Sequence, residues 1–341
     1  MGGLDGCGGG ALKRSLVIIA SLVLLLTALG GWYAYRVERG AAASFAALLA
    51  FMLLMIPYFA LGFDRVVDGL RDLGRSNRLR LTLMGLSLIV PGVVILLGGG
   101  GDLSLRRMAV LGLYVAGPIF ILTGWGQKGP RPSLIDLAAV LLLWLPIELQ
   151  LFEKFWRLPE GNPSYVLAKT LGMELGLFCF VVVRQIDGVG YRFRIAGEDF
   201  IVGLLALGAF LSLAVPTALS TGFVQFEPRW SGAGRWLLSS LGIFFFIALP
   251  EEVLFRGLIF NMLQRVMRAR GPWPALLVSS FIFGLAHLNN PPADWRYVLL
   301  ATGAGICYGW AYLRTGSLLA SSYAHAMVDI IGRTMFPHEP G

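Results

Sequence analysis

Long apolar segments constrain the fold of this chain more than any other feature. Eleven of them reach or approach the length with which a helix crosses about 30 Å of hydrocarbon. They cover roughly residues 15–34, 41–63, 81–98, 108–125, 134–152, 165–183, 200–219, 236–262, 274–288, 297–313 and 317–335. The composition, with 56% hydrophobic and only 14% charged residues, is that of a polytopic membrane protein. We therefore predict an all-α fold, a polytopic transmembrane bundle of about 11 segments.

The distribution of basic residues predicts an orientation in the membrane. With the N-terminus inside, 16 of the 28 Lys and Arg residues fall in cytoplasmic loops and 10 in outer loops. Because cytoplasmic loops carry the basic excess, we predict a cytoplasmic N-terminus, and the plasma (inner) membrane if the source is prokaryotic. The formal charge of +8 then indicates contact with anionic lipid and no nucleic-acid partner.

Ionisable residues interrupt the eighth segment. The sequence Pro250-Glu251-Glu252 follows an almost unbroken apolar run, and Arg256 comes one turn later. An acid at bilayer depth costs roughly 2.5 to 3.5 kcal/mol, so such residues are usually paired and functional. Glu252 and Arg256 are spaced to form an ion pair on one helix face, while Glu251 is rotated by about 100° and faces elsewhere. We expect Pro250 to loosen or kink this helix.

Two further pairs at the same spacing occur in the last segments, Phe283 with His287 and His325 with Asp329. Three helices that offer Glu251, His287 and His325 to a common space supply the parts for hydrolysis of a peptide bond. A carboxylate can activate water, a histidine can hold that water, and a second polar group can stabilise the oxyanion. The pattern thus predicts hydrolysis without a serine or cysteine nucleophile.

The order of these motifs resembles that of a known protein family. The motifs are Glu251-Glu252-x-x-x-Arg256, Phe283-x-x-x-His287 and His325-x-x-x-Asp329, on successive predicted membrane helices. They resemble those of the CPBP family, which contains CAAX prenyl protease 2 and bacteriocin-processing intramembrane proteases. The resemblance covers about the last 100 of the 341 residues. It implies a glutamate-dependent intramembrane endopeptidase with a helical core.

The resemblance also implies roles for the individual residues. Glu251 would activate the water, His287 would orient and polarise it, and His325 with Asp329 would form the oxyanion side. The supporting residues would be Glu252, Arg256 and Phe283. The family often has Asn at the position of Asp329, and an ionised carboxylate cannot donate the hydrogen bond that an amide can. The role of Asp329 is therefore open: it could be protonated, orient His325 or mark an altered mechanism.

No cofactor is predicted, and zinc is the open alternative. Two histidines and a glutamate are the ligands of many hydrolytic zinc sites, but the spacing HExxH is absent. The three cysteines are scattered, without the CxxC spacing of a metal site. The family resemblance favours a mechanism without metal.

Residues 231–336 are predicted to form the protease core, and residues 1–230 to form N-terminal transmembrane helices for substrate docking or an accessory role. Glu174, in the middle of the sixth segment, either pairs structurally or lines the same cavity. The expected partners are the lipid bilayer and a membrane-anchored protein or peptide substrate. Two other functions remain open: a non-catalytic membrane binding protein, such as a bacteriocin-immunity or sorting partner, and a proton-coupled transporter. The lack of a visible internal repeat argues against the transporter.

Overall fold

The computed structural model describes residues 17–28, 41–98, 104–126, 131–152, 155–156, 163–193, 196–288 and 294–336. Within these ranges the chain forms helices and no strand, which confirms the all-α prediction. The chain divides into two compact units, one of residues 1–129 and 133–187 and the other of residues 130–132 and 188–341. The predicted functional division at residues 230 and 231 stays a prediction.

The described helices of the first unit follow the first six predicted segments, with one addition. They are α1 (Val17–Ala28), α2 (Ala41–Ala60), α3 (Asp64–Ser76), α4 (Arg78–Leu97), α5 (Leu105–Trp125), α6 (Leu134–Glu148) and α7, which runs over Pro163–Leu177 and continues as π-helix over Phe178–Val183. Residues 29–34 of the first predicted segment lie outside the described ranges. The added helix, α3, alternates Asp and Arg residues and buries Val67, so it has only a narrow apolar side.

A buried ion pair joins α6 to the end of α7 in the first unit. Ser133 and Asp136 form a capping box that satisfies backbone N–H groups at the start of α6. The Asp136 carboxylate also accepts hydrogen bonds from Arg184 Nε at 2.7 Å and Nη2 at 3.2 Å. Both side chains are almost fully buried. The two-point geometry offsets part of the cost of removing both charges from water.

The second unit contains the last five predicted segments. Its helices are α8 (Gly197–Ser220), α9 (Ala233–Val266), α10 (Pro272–Leu285), α11 (Trp295–Thr315) and α12 (Leu318–Met335). Helix α11 packs against α8, α10 and α12, and α12 also packs against α8 and α9. Between α8 and α9 the chain is extended, and the N–H groups of Glu227 and Arg229 donate to the carbonyls of Met335 and Thr334 at the end of α12.

Six of the described helices, α2, α4, α5, α7, α8 and α9, are long and apolar enough to cross a membrane, and α1 and α10 are shorter apolar helices. These helices belong to an integral membrane protein. The total of 11 crossings and the orientation of the N-terminus stay predictions.

Helix α9 is irregular on both sides of the two glutamates. π-Helical turns at Phe244–Ala248 and Val253–Phe260 flank the short α-helical stretch Leu249–Glu252. Pro250 has no N–H to donate to the carbonyl four residues before it, so the regular hydrogen-bond ladder is interrupted there. The disturbance predicted at Pro250 is confirmed in the form of these wide turns. Such turns are frequent at functional sites.

Candidate active site

The Glu252 carboxylate joins two helices of the second unit. Its Oε1 accepts a hydrogen bond from Arg256 Nη1 at 2.8 Å, on the same helix, and another from His325 Nδ1 at 2.8 Å, on α12. The three residues are 0%, 1% and 3% exposed. The predicted ion pair of Glu252 and Arg256 is confirmed. Its direct link to His325, 73 positions later, is a feature that spacing on one helix could not reveal.

The Arg256 guanidinium also links α9 to α11, through its second terminal nitrogen, Nη2. Its Nη2 donates to the carbonyl of Gly305 at 3.0 Å, and its Cζ lies 4.5 Å from the ring centroid of Phe283 and 5.5 Å from that of Tyr308. A Cβ at Gly305 would come within 3.1 Å of Ser280 and 3.3 Å of Arg256 Nη2. Glycine at this position therefore lets α11 approach α10 and the guanidinium closely.

The His325 ring is fixed in position from several sides. It stacks on Tyr308 at a centroid distance of 4.8 Å and an interplanar angle of 15°, and it meets the Phe283 ring edge-on at 5.6 Å. Its Nδ1 is held by Glu252, so the ring can rotate little. Its Nε2 lies 3.7 Å from Glu251 Oε2 and 4.0 Å from Asp329 Oδ1. One histidine nitrogen is thus structural and the other faces two motif carboxylates.

His287 lies just beyond the end of α10, in a turn, because that helix ends at Leu285. Its Nδ1 donates to the carbonyl of Phe283 at 2.8 Å, and the two rings are 4.6 Å apart. The expected proximity of the two motif residues is thus observed, although His287 itself is not helical. Donation from Nδ1 places the lone pair of the neutral ring on Nε2.

His287, His325 and Asp329 line one cavity of about 500 Å³ in the second unit. The other polar lining residues are Tyr297, Tyr308 and Arg333. The remaining lining is mostly apolar and comes from α8 between residues 210 and 218, from residues 223 and 224, and from α11 and α12. Glu251 does not line this cavity itself. Its Oε2 lies 3.7 Å from Nε2 of His325, which does line it.

The structure therefore brings all seven motif residues into one network, although their roles stay predictions. Sequence reasoning missed Tyr308, on which His325 stacks, and Gly305, whose carbonyl binds Arg256. The spacing Gly305-x-x-x-Gly309 is a signal for close helix packing and could have indicated the second of these. Glu174 belongs to the first unit and does not line this cavity. It is fully buried, and within the described residues neither of its carboxylate oxygens is hydrogen-bonded.

Within the described ranges, no three His, Cys, Asp or Glu side chains are grouped as they would be around a metal ion. The sequence predicts a mechanism without a metal, with zinc as the open alternative, and this stays a prediction.

Comparisons with known proteins point to a family for the C-terminal region. Residues 233–331 match the family described as "Type II CAAX prenyl endopeptidase Rce1-like". A curated relative, "Putative membrane peptidase YdiL" of Bacillus subtilis (strain 168), is 34% identical over 79 residues, which is 23% of this chain and 29% of that protein. The chain therefore matches less than a third of the length of this relative. No solved structure matches. The resemblance predicted from the three motifs is confirmed.

Proposed function

We propose that the protein is an intramembrane endopeptidase, because residues 233–331 match the family described as "Type II CAAX prenyl endopeptidase Rce1-like". It hydrolyses peptide bonds of membrane-associated protein or peptide substrates by glutamate-activated water. One observation carries the proposal: a histidine fixed by Glu252 presents Nε2 to Glu251 at 3.7 Å, in the wall of a cavity that His287 also lines. Ordinary helix packing does not require this convergence of two acids and two histidines.

Glu251 is the general base in the proposed mechanism. Its carboxylate takes a proton from a water molecule while the water oxygen bonds to the carbonyl carbon of the substrate. The resulting tetrahedral intermediate collapses when the C–N bond breaks and the proton passes to the leaving amine. The Glu251 side chain is 13% exposed. It is thus largely removed from bulk water, which favours a carboxylate acting on one positioned water molecule.

His287 holds the attacking water. Because its Nδ1 donates to the Phe283 carbonyl, Nε2 of the neutral ring can accept a hydrogen bond from that water. This arrangement orients a water oxygen lone pair toward the substrate carbonyl. The tautomer follows from the backbone contact at the end of α10, so the turn after Leu285 is part of the mechanism.

His325 stabilises the oxyanion. Its Nδ1–H is already donated to Glu252, so it can donate to an oxyanion from Nε2 only when both ring nitrogens carry protons. Glu252 provides the negative charge that compensates this cation, and Arg256 balances Glu252. Asp329, 4.0 Å from Nε2, orients the same ring edge. The pair Glu252 and Arg256 thus positions His325 without contacting the substrate.

The test is cleavage of a library of membrane-anchored peptides, half of them prenylated, by the purified full chain in liposomes. We expect Glu251→Gln and His287→Ala to lower the cleavage rate by about 10²- to 10⁴-fold, the usual contribution of a general base or acid. The matched control is Glu227→Gln, because this exposed glutamate is paired with Arg229 outside the network. Cleavage by Glu251→Gln at the wild-type rate would refute the mechanism.

Two additional measurements separate the alternatives. Loss of wild-type cleavage with a chelator, restored by zinc, would establish a metal enzyme. Binding of peptides by the wild type and by Glu251→Gln with equal affinity, without cleavage by either, would favour the non-catalytic binding protein. The prenylated and plain halves of the library show whether the substrate carries a lipid.

A further inference from the structure

The first unit contains a buried acidic side chain that the proposed mechanism does not use. Glu174 is in the middle of α7, where ten residues of the membrane-crossing stretch Ser164–Val183 precede it and nine follow it. At 1.5 Å per residue, its Cα is about 15 Å from one end of that stretch and about 14 Å from the other. The side chain is 0% exposed, and within the described residues neither carboxyl oxygen has a hydrogen-bond partner. An acid at this depth is a candidate for a functional site.

The helices packed against α7 carry titratable groups, but the described residues offer Glu174 no hydrogen bond. Tyr58 is the titratable residue of α2, and it is 0% exposed and within electrostatic range of Glu174. The others are bonded elsewhere, lie at a helix end or are apolar in character: Tyr114, whose hydroxyl donates to the Leu143 carbonyl, Asp136, which is paired with Arg184, Glu148, the last residue of α6, and the buried thiol of Cys179 on α7 itself.

The basic side chains described in the first unit are engaged elsewhere or lie at helix ends. Lys169 comes five positions before Glu174 on α7, which rotates it by about 140° around the helix, and its Nζ lies 4.5 Å from the ring centroid of Tyr165. Arg71 of α3 donates to the Val181 carbonyl. The arginines of α4 and α5 are in the first turns of these helices: Arg78, Arg80, Arg106 and Arg107. None of the cations in the described ranges forms an ion pair with Glu174.

Isolation from cations decides the charge state of this side chain. Removing an unpaired carboxylate from water is so unfavourable that a buried acid takes up a proton instead. A neutral acid resembles the amide of glutamine in size, so a purely structural role would not require a glutamate. The property that distinguishes the acid from the amide is a proton that it can bind and release.

We propose that Glu174 is a proton-binding site of the first unit. Its carboxyl carries a proton in the folded chain and releases the proton only when α2 and α7 separate. The seven motif residues of the candidate active site all belong to the second unit. The proposal therefore goes beyond the protease function and does not depend on it.

Proton binding by the folded chain makes the stability of the first unit depend on pH. The unfolded chain releases this proton above about pH 4.3, the usual pKa of glutamate, whereas the folded chain keeps it. Unfolding then releases one proton, so a rise in pH favours the unfolded state. For one proton, the unfolding equilibrium constant of the wild type should rise about 10²-fold between about pH 6 and about pH 8, relative to that of Glu174→Gln. Both constants are measured by SDS titration in mixed micelles.

Infrared difference spectroscopy detects the proton directly. A protonated carboxyl has a C=O stretching band that a carboxylate lacks and that lies apart from the amide absorption. Spectra of the full chain in nanodiscs are recorded for the wild type and Glu174→Gln at neutral pH, and their difference isolates the contribution of residue 174. We expect a protonated-carboxyl band that the variant loses and that persists in the wild type to about pH 8, as in other proteins with a buried glutamate.

Two further variants complete the test. Glu174→Leu fills the site without polar atoms and should lose the same band, so the assignment does not depend on the folding of Glu174→Gln alone. The matched control is Glu198→Gln, since Glu198 is exposed at the start of α8 and should contribute only a carboxylate band. A carboxylate band from Glu174 at neutral pH would overturn the proposal, as would a ratio of unfolding constants that does not change with pH. Neither measurement involves cleavage, so a failure of the protease mechanism would appear only in the cleavage assay.

Discussion

The buried contact of Glu252 with Arg256 predicts a characteristic pattern of stability changes. In Arg256→Met the aliphatic part of the side chain is retained, but the Glu252 carboxylate keeps its charge at 0% exposure and loses its 2.8 Å partner. Breaking a buried pair in this way costs about 3 to 5 kcal/mol. The second change, Glu252→Gln, removes the charge and keeps an oxygen that can accept from His325. We therefore expect the double variant to be less destabilised than the sum of the single variants.

The magnitude of this coupling follows from the contact geometry. Residues that share a buried ion pair typically show interaction free energies of about 0.5 to 3 kcal/mol, and the full burial of this pair places the expected value in the upper half of that range. The matched control is Arg235→Met, since this arginine is exposed on the same helix. It should change the free energy of unfolding by less than about 0.5 kcal/mol.

The assay is reversible unfolding in mixed micelles with increasing SDS, followed by tryptophan fluorescence, for the wild type, both single variants and the double variant. Additive effects within about 0.5 kcal/mol would refute the reasoning, because independent sites behave in that way. A loss of under about 1 kcal/mol in Arg256→Met would also refute it, since that is the range of exposed ion pairs.

Two other substitutions test the packing and the last motif. Gly284→Ala should destabilise the second unit by about 1 to 3 kcal/mol in the same assay, because the added Cβ would lie 2.7 Å from the Val298 carbonyl oxygen. The matched control is Gly208→Ala, which should not be destabilising because nothing lies within 4 Å of the added carbon. If Asp329 only orients His325, Asp329→Asn should keep the cleavage rate within about tenfold of the wild type, because an amide oxygen accepts hydrogen bonds as a carboxylate does. A loss of more than about 10²-fold in the cleavage rate would show that the negative charge itself is required.

The helical class and the pairing of residues one turn apart could be predicted from the sequence because both depend on local spacing. The long apolar runs predict membrane helices, and the four-residue interval of Glu252 and Arg256 predicts their ion pair. The amphipathic helix Asp64–Ser76 was missed because its charged composition gives no apolar run, and the wide turns beside Pro250 were expected only as a general irregularity. The end of α10 before His287 was missed because the apolar run continues past the last helical residue.

An all-helical membrane protein with three polar motifs can be predicted from the amino-acid sequence alone, because hydrocarbon permits few backbone structures and few buried charges. How the three motifs meet is visible only in the folded chain. In the fold, the Glu252 carboxylate accepts a hydrogen bond from His325, and the Tyr308 ring stacks on the His325 ring. The Gly305 carbonyl accepts a hydrogen bond from Arg256. Contacts between helices depend on how side chains of distant segments fit together, and no periodicity within one segment encodes that fit.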